Sequence, residues 1–220
     1  GRVWEREELE KAMQIYEKNK CLVISDEIWS DLTLEGYKHI PTQSVNEYAH
    51  EHTFAFYAPS KTFNLAGLVG SYHIVYNSYL RDRLMEAEKC SHYNSANVLS
   101  ISALMGAYTK EGAEWVDELR EVLTQNVDYA HTYITTHFEG VSVAKAQGTY
   151  MLYLDCSGWL KAHPEMTMDD LIRAGIAVGV VWQDGRPFMN PNTIRMNLAV
   201  PHALVKEAMD RLDKYVFNAK

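Results

Sequence analysis

Three short apolar runs, two of which stop abruptly at charged residues, constrain this chain more than any other feature. Residues 21–24 (CLVI) end in Ser25-Asp26-Glu27, and residues 53–58 (TFAFYA) end in Pro59-Ser60-Lys61. Residues 71–76 (SYHIVY) follow a Gly67-x-x-Gly70 turn. Continuous runs of this length suit strands covered on both faces, as in a parallel sheet, better than strands with one wet face. A helical pattern precedes the first run: residues 5–19 set Leu9, Ala12, Met13 and Tyr16 on one face. Helix and strand alternate, which predicts an α/β architecture.

Beyond residue 78 the pattern turns helical. A shorter helix is expected over residues 96–108, then a long amphipathic one with Trp115, Leu119, Val122, Val127, Ala130 and Ile134 along one side. The remainder reads as α+β. Strands are expected at 148–155, 178–182 and 193–200, the second leading into an Asp184-Gly185 turn. Helices are expected at 167–174, opened by a Thr or Asp cap, and at 201–216, with Pro201 in the first turn. The long helix places the domain boundary near residue 130, with a larger unit at 1–130 and a smaller α+β unit at 131–220.

Charge and cysteines narrow the class. With 21 basic against 29 acidic residues, the net charge of −8 disfavours a nucleic-acid or anionic-membrane partner. Cys21, Cys90 and Cys156 form no C-x-x-C, so reduced thiols in a cytoplasmic protein are the expectation. His50-x-His52 lacks a third ligand at a plausible spacing, so no metal is expected.

Ligands of open parallel sheets bind beyond the carboxyl ends of the strands. Asp26 and Lys61 stand at two such ends. An amine and a carboxylate there can face one bound molecule, the pair that pyridoxal phosphate (PLP) chemistry requires: a lysine to bond the cofactor, an acid to keep its pyridine nitrogen protonated. From the residues alone, a solvated loop lysine, the commoner case, and an Asp26-Glu27 helix cap remain open readings. Arg195 is open between a solvated strand position and a carboxylate fork, and Asn197 between the same pocket and plain decoration.

Three segments resolve the matter by resemblance. Residues 58–68 (APSKTFNLAGL) resemble the lysine-bearing segment of fold-type I PLP enzymes. Residues 23–28 (VISDEI), 35 residues earlier from Asp26 to Lys61, resemble the strand that carries their pyridine-binding aspartate. Residues 194–201 (IRMNLAVP) resemble the strand whose arginine grips the substrate α-carboxylate. The resemblance implies a partial aspartate-aminotransferase-like fold: part of the large-domain, mostly parallel sheet followed by the small C-terminal domain. It implies PLP as cofactor, held by Lys61, Asp26, Ser60 and Trp29, and Arg195 as the substrate anchor. Ser60 would give its hydroxyl to the cofactor phosphate, or else serve a local turn.

Residues 26–32 (DEIWSDL) and 39–42 (HIPT) are most similar to the MalY/PatB-type cystathionine β-lyase branch of aminotransferase class I/II. That implies cleavage of S-substituted cysteines to pyruvate, ammonia and a thiol by a cytoplasmic homodimer. The alternatives are an aminotransferase of the same fold and a non-catalytic fragment that serves only oligomerisation or binding. Two positions depart from the wider pattern. Val69 stands where many relatives have a phosphate-binding arginine, and Trp29 where Tyr or His is common. Residues 1–3 resemble the sequence after an early turn of these enzymes, so a long N-terminal portion, and a sheet edge it would cover, are expected to be missing.

Overall fold

The computed structural model describes residues 1–91 and 95–218. The chain divides into two compact units, Val3–Glu118 and Leu119–Lys220, the second also taking in Gly1–Arg2. The Gly1 carbonyl accepts from the amides of Gln147 at 2.7 Å and Gly148 at 3.1 Å, which ties the first residues to that second unit.

The unit Val3–Glu118 opens with α1 (Arg6–Lys18), whose apolar side supplies Leu9 and buried Met13 to a small core with Val45 and Ala49. Strand β1 (Val23–Asp26) follows, then the six-residue helix α2 (Glu47–His52), β2 (Thr53–Tyr57), the single turn α3 (Pro59–Thr62) and β3 (Tyr72–Ile74). The sheet order is β1-β2-β3. β1 pairs parallel to β2, with Asp26 opposite Phe56; β3 pairs antiparallel. Buried Gln43 locks a 3-10 turn to this sheet, donating to the carbonyls of Thr53 at 2.8 Å and Ile74 at 2.9 Å. Helices α4 (Ser78–Ser91) and α5 (Val98–Ala107) complete the unit together with the start of α6 (Lys110–His137).

One expectation about this sheet fails. The run 21–24 was expected to be covered on both faces, yet Ile24 is 77% exposed. β1 is one of the two edge strands, and nothing among the described residues covers Ile24. An apolar run records what a strand can bury, whereas coverage depends on what packs against it.

The unit boundary falls inside α6, between Glu118 and Leu119. The buried stripe of that helix is Val116, Leu123, Val127, Ala130 and Ile134; Trp115 and Val122, assigned to it from sequence, are exposed. Asn126 is fully buried in the same stripe. Its amide donates to the carbonyls of Leu198 at 2.9 Å and Val200 at 2.8 Å, and its Oδ1 meets His202 Nδ1 at 2.8 Å.

The unit Leu119–Lys220 is built on a sheet ordered β4-β5-β7-β6: β4 (Ser142–Val143), β5 (Met151–Asp155), β6 (Gln183–Asp184) and β7 (Thr193–Asn197), all antiparallel. Leu152, Leu154, Ile194, Met196 and Leu198 point into the core, as the alternation of 193–200 requires. Helices α7 (Ser157–Ala162), α8 (Met168–Ala177) and α9 (His202–Leu212) cover the sheet, α9 continuing into a π-helical turn, Asp213–Phe217. Pro201 stands just before α9, at its N-cap.

Residues 178–182 are not the expected strand. α8 runs to Ala177 and ends at Gly179, whose φ of +82° only glycine adopts freely. The apolar character of the run has another cause: the Trp182 indole is buried and donates to the Ile172 carbonyl at 3.2 Å. Where α6 hands over to β4, Gly140 (φ +79°) accepts from the Trp159 amide at 2.8 Å, bringing two backbones into direct contact.

Thr167 caps α8. Its hydroxyl accepts from the Asp170 amide at 3.2 Å while Asp170 Oδ2 accepts from the Thr167 amide at 2.9 Å. Thr167→Ala is expected to cost about 1 kcal/mol, read as a lower urea midpoint at unchanged slope. Among the described residues, no helix is long and apolar enough to cross a membrane. The three cysteines are unpaired.

Candidate active site

Parallel pairing of β1 and β2 brings two strand ends to the same side of the sheet. Asp26 is the last residue of β1 and is exposed. One of its oxygens accepts from the Ile28 amide at 3.2 Å, which closes a local turn. Lys61 lies on α3, directly after β2, where Pro59 starts the turn with its fixed φ and no amide proton to waste. The Lys61 ammonium sits 5.7 Å from the centre of the Trp29 ring, a cation–π distance. Among the described residues it has no carboxylate partner. Ser60, half-buried beside it, keeps its hydroxyl unclaimed on the same basis. Its carbonyl accepts from the Leu65 amide at 3.1 Å.

Behind Asp26 stands Glu27, which the sequence offered only as part of a helix cap. It is 5% exposed and its carboxylate is fully engaged. Oε1 accepts from the Ser25 hydroxyl and the Thr42 amide, each at 3.0 Å; Oε2 accepts from the Tyr57 hydroxyl at 3.0 Å and meets His39 Nε2 at 2.7 Å. Burial alone would raise the pKa of this carboxyl. The bonds from His39, Thr42 and Tyr57 outweigh burial and hold it at about 2. Burial and the same carboxylate push the Tyr57 phenol well above its ordinary range. Acid and histidine are 12 residues apart and acid and tyrosine 30, spacings without a local signature.

Arg195 belongs to the other unit. On β7 it pairs in register with Tyr153 of β5 on one side and Gln183 of β6 on the other. Its guanidinium carbon lies 5.0 Å from the centre of the Phe188 ring, and its Nε is buried with no hydrogen-bond partner. An unsatisfied buried donor is costly, and an acceptor brought by a ligand would relieve it. Asn197 does not share that arrangement; its Oδ1 accepts from the Ala199 amide at 2.8 Å. Val69 is 88% exposed. His50 gathers with Glu47 and Glu51, their ligand atoms within 4.8 Å of one another on an exposed helix, while His52 pairs with the Tyr48 carbonyl instead.

A mixed α/β sheet with an amine and an acid at neighbouring strand ends defines a fold of the aminotransferase type. The chain belongs to the aminotransferase class I and II family, whose model matches residues 1–212. Cystathionine beta-lyase PatB of Bacillus subtilis (strain 168) is 33% identical over 159 residues, 72% of this chain and 41% of the relative. Protein MalY of Escherichia coli (strain K12) is 35% identical over 156 residues, 70% of this chain and 39% of the relative. The chain thus spans about two fifths of these curated relatives. The structure of cystalysin from Treponema denticola, which contains a pyridoxal 5'-phosphate cofactor, superimposes with a TM-score of 0.88. It is 29% identical and covers 100% of this chain and 55% of that one.

Proposed function

We propose that this chain carries the lysine-bearing part of a PLP-dependent C–S lyase that cleaves S-substituted cysteines, cystathionine among them, to pyruvate, ammonia and a thiol. The observation that carries the reading is Lys61. It is an ammonium without an acidic partner among the described residues, set at the carboxyl end of β2 beside the strand that ends in Asp26. PatB supplies the substrate class by its name, at 33% identity.

The residues suit the group. PLP, when bound, supplies an electron sink for the pair left behind when a substrate α-proton departs. Lys61 would hold the cofactor aldehyde through Nζ, and the same Nζ, when free, would take the substrate α-proton and give a proton to the departing sulfur. The Asp26 carboxylate would keep a proton on the pyridine nitrogen. The Ser60 hydroxyl would donate to the phosphate, and the Trp29 indole, which cannot accept a proton, would serve packing rather than proton transfer. Arg195 takes the substrate α-carboxylate in its fork, which also satisfies Nε. The reading makes the protein a cytoplasmic homodimer, with residues 1–130 in the large domain and 131–220 in the small one.

The test is an absorbance spectrum of the chain with PLP, before and after borohydride, followed by product analysis with cystathionine. A reducible band plus pyruvate and thiol supports the lyase. A new amino acid formed from an added keto acid replaces it with an aminotransferase, the activity for which the family is named. No band at all reduces the chain to a non-catalytic fragment. Arg195→Ala is expected to raise the KM for cystathionine roughly 30-fold or more, the lower end of the about 2–5 kcal/mol that truncating a hydrogen-bonded charge pair costs.

A further inference from the structure

Asp31, the second aspartate of the 26–32 motif, has no part in the chemistry above, yet its carboxylate reaches the lysine turn. Oδ2 accepts a hydrogen bond from Thr62 Oγ1 at 2.9 Å, and Thr62, the residue after Lys61, is 1% exposed. Tyr108, which follows α5, meets the Tyr72 ring edge-on at 5.9 Å, and burial together with the nearby Asp31 carboxylate raises its phenol pKa. Phe63, one residue further on, is held by two rings. It meets Tyr108 edge-on at 5.4 Å and stacks on Trp115 at 5.8 Å.

This matters because α3 cannot orient itself. It is one turn long, closed by a bond from the Phe63 amide to the Pro59 carbonyl at 2.9 Å. A single turn fixes several dihedrals for very few internal bonds, so its direction must come from tertiary anchors. The residues after the lysine are anchored firmly, and a hydroxyl bonded to a carboxylate is among the stronger neutral-donor bonds. Among the described residues, the side chain of Lys61 has the Trp29 ring as its contact.

We propose that Asp31 is a positioning residue: it clasps Thr62 and thereby holds the Lys61 ammonium over the Trp29 ring. The clasp rests on the role given to Lys61 and deepens it. It acts through Thr62 and touches neither cofactor nor substrate.

A ring-current shift reads the clasp without any cofactor. In the wild-type chain the Lys61 Cε methylene is expected to resonate upfield of an ordinary lysine, because the Nζ bonded to it sits over the indole, 5.7 Å from the ring centre. Thr62→Val keeps the buried shape and removes the donor; it is expected to lose most of that shift, and Asp31→Ala the same. Thr62→Ser restores the donor and is expected to keep it. If Asp31→Ala fails to fold, the Val and Ser pair at position 62 still decides the matter, with near-UV circular dichroism confirming that both are native. A wild-type chain with no upfield shift, a Thr62→Val chain with the full shift, or a Thr62→Ser chain that loses it as completely each overturns the clasp. Borohydride trapping with PLP on the same samples separates the two ideas. A held Lys61 that forms no adduct removes the lyase reading and leaves the clasp standing. An adduct whose yield and pH titration are the same in wild type and Thr62→Val removes the clasp and leaves the reading.

Discussion

Lys61→Ala is expected to abolish the borohydride-reducible PLP adduct and to lower C–S lyase turnover by roughly 10²–10⁴-fold from the lost base alone, and by more once the lost covalent link is counted. Two jobs fall on one nitrogen, so no neighbour can replace it. Trp29 offers an indole that donates but does not accept a proton, and the hydroxyl of Ser60 is a far weaker base. Among the described residues the Lys61 ammonium has no carboxylate partner and sits 5.7 Å from the centre of the Trp29 ring. Mass mapping of the reduced adduct checks the assignment directly. Adduct recovered on another lysine, or a band that survives in the variant, would remove Lys61 from the site.

Glu27→Ala is expected to be the most destabilising change near the site, at about 3–5 kcal/mol, because several buried donors lose their acceptor at roughly 1–3 kcal/mol each. Four groups lose their acceptor at once: the Ser25 hydroxyl, the Thr42 amide, the Tyr57 hydroxyl and His39 Nε2. For a domain whose whole stability is about 5–15 kcal/mol, such a loss brings it near the unfolding threshold at 37 °C. The pH dependence has a definite sign. The folded carboxyl titrates at about 2 against an ordinary 4.5, so its contribution is complete above the unfolded value and is lost as pH falls from there toward 2. The gap between wild type and variant in urea midpoint should therefore be widest at neutral pH and close steadily below about pH 4.5. A gap constant down to pH 2.5 would mean that the carboxyl titrates alike in the folded and unfolded chain.

What the sequence disclosed and what it withheld divide along a physical line. The places of Lys61 and Asp26 at strand ends were legible because strand ends are local events: an apolar run stops, and a titratable residue follows. The Thr167 cap was legible for the same reason, since its partner is three residues away. Glu27 was invisible although it adjoins Asp26, because its acceptors' partners come from 12, 15 and 30 residues on. Asp31 and Thr62, 31 residues apart, were equally hidden. Asn126 looked like a polar interruption of a helix face, and only the carbonyls of Leu198 and Val200 explain its burial. The errors share one root. Trp182 made 178–182 look like a strand, while its ring in fact packs against the helix that ends there. Ile24 was placed in a core because a short sequence cannot say whether a sheet face is covered.

The contact between the α6–β4 turn and the start of α7 has a consequence for how this family can vary. A methyl group on Gly140 would lie 2.6 Å from the Trp159 nitrogen and 2.8 Å from the Gly158 carbonyl carbon; one on Gly158 would lie 2.6 Å from the Gly140 oxygen. Each glycine is therefore blocked by the other segment's main chain, which no second substitution can trim. Core pairs usually drift together, a larger residue here answered by a smaller one there. These two positions have no such exchange open to them. Lineages that retain this packing can change almost every side chain around it, but they inherit both glycines as a fixed pair.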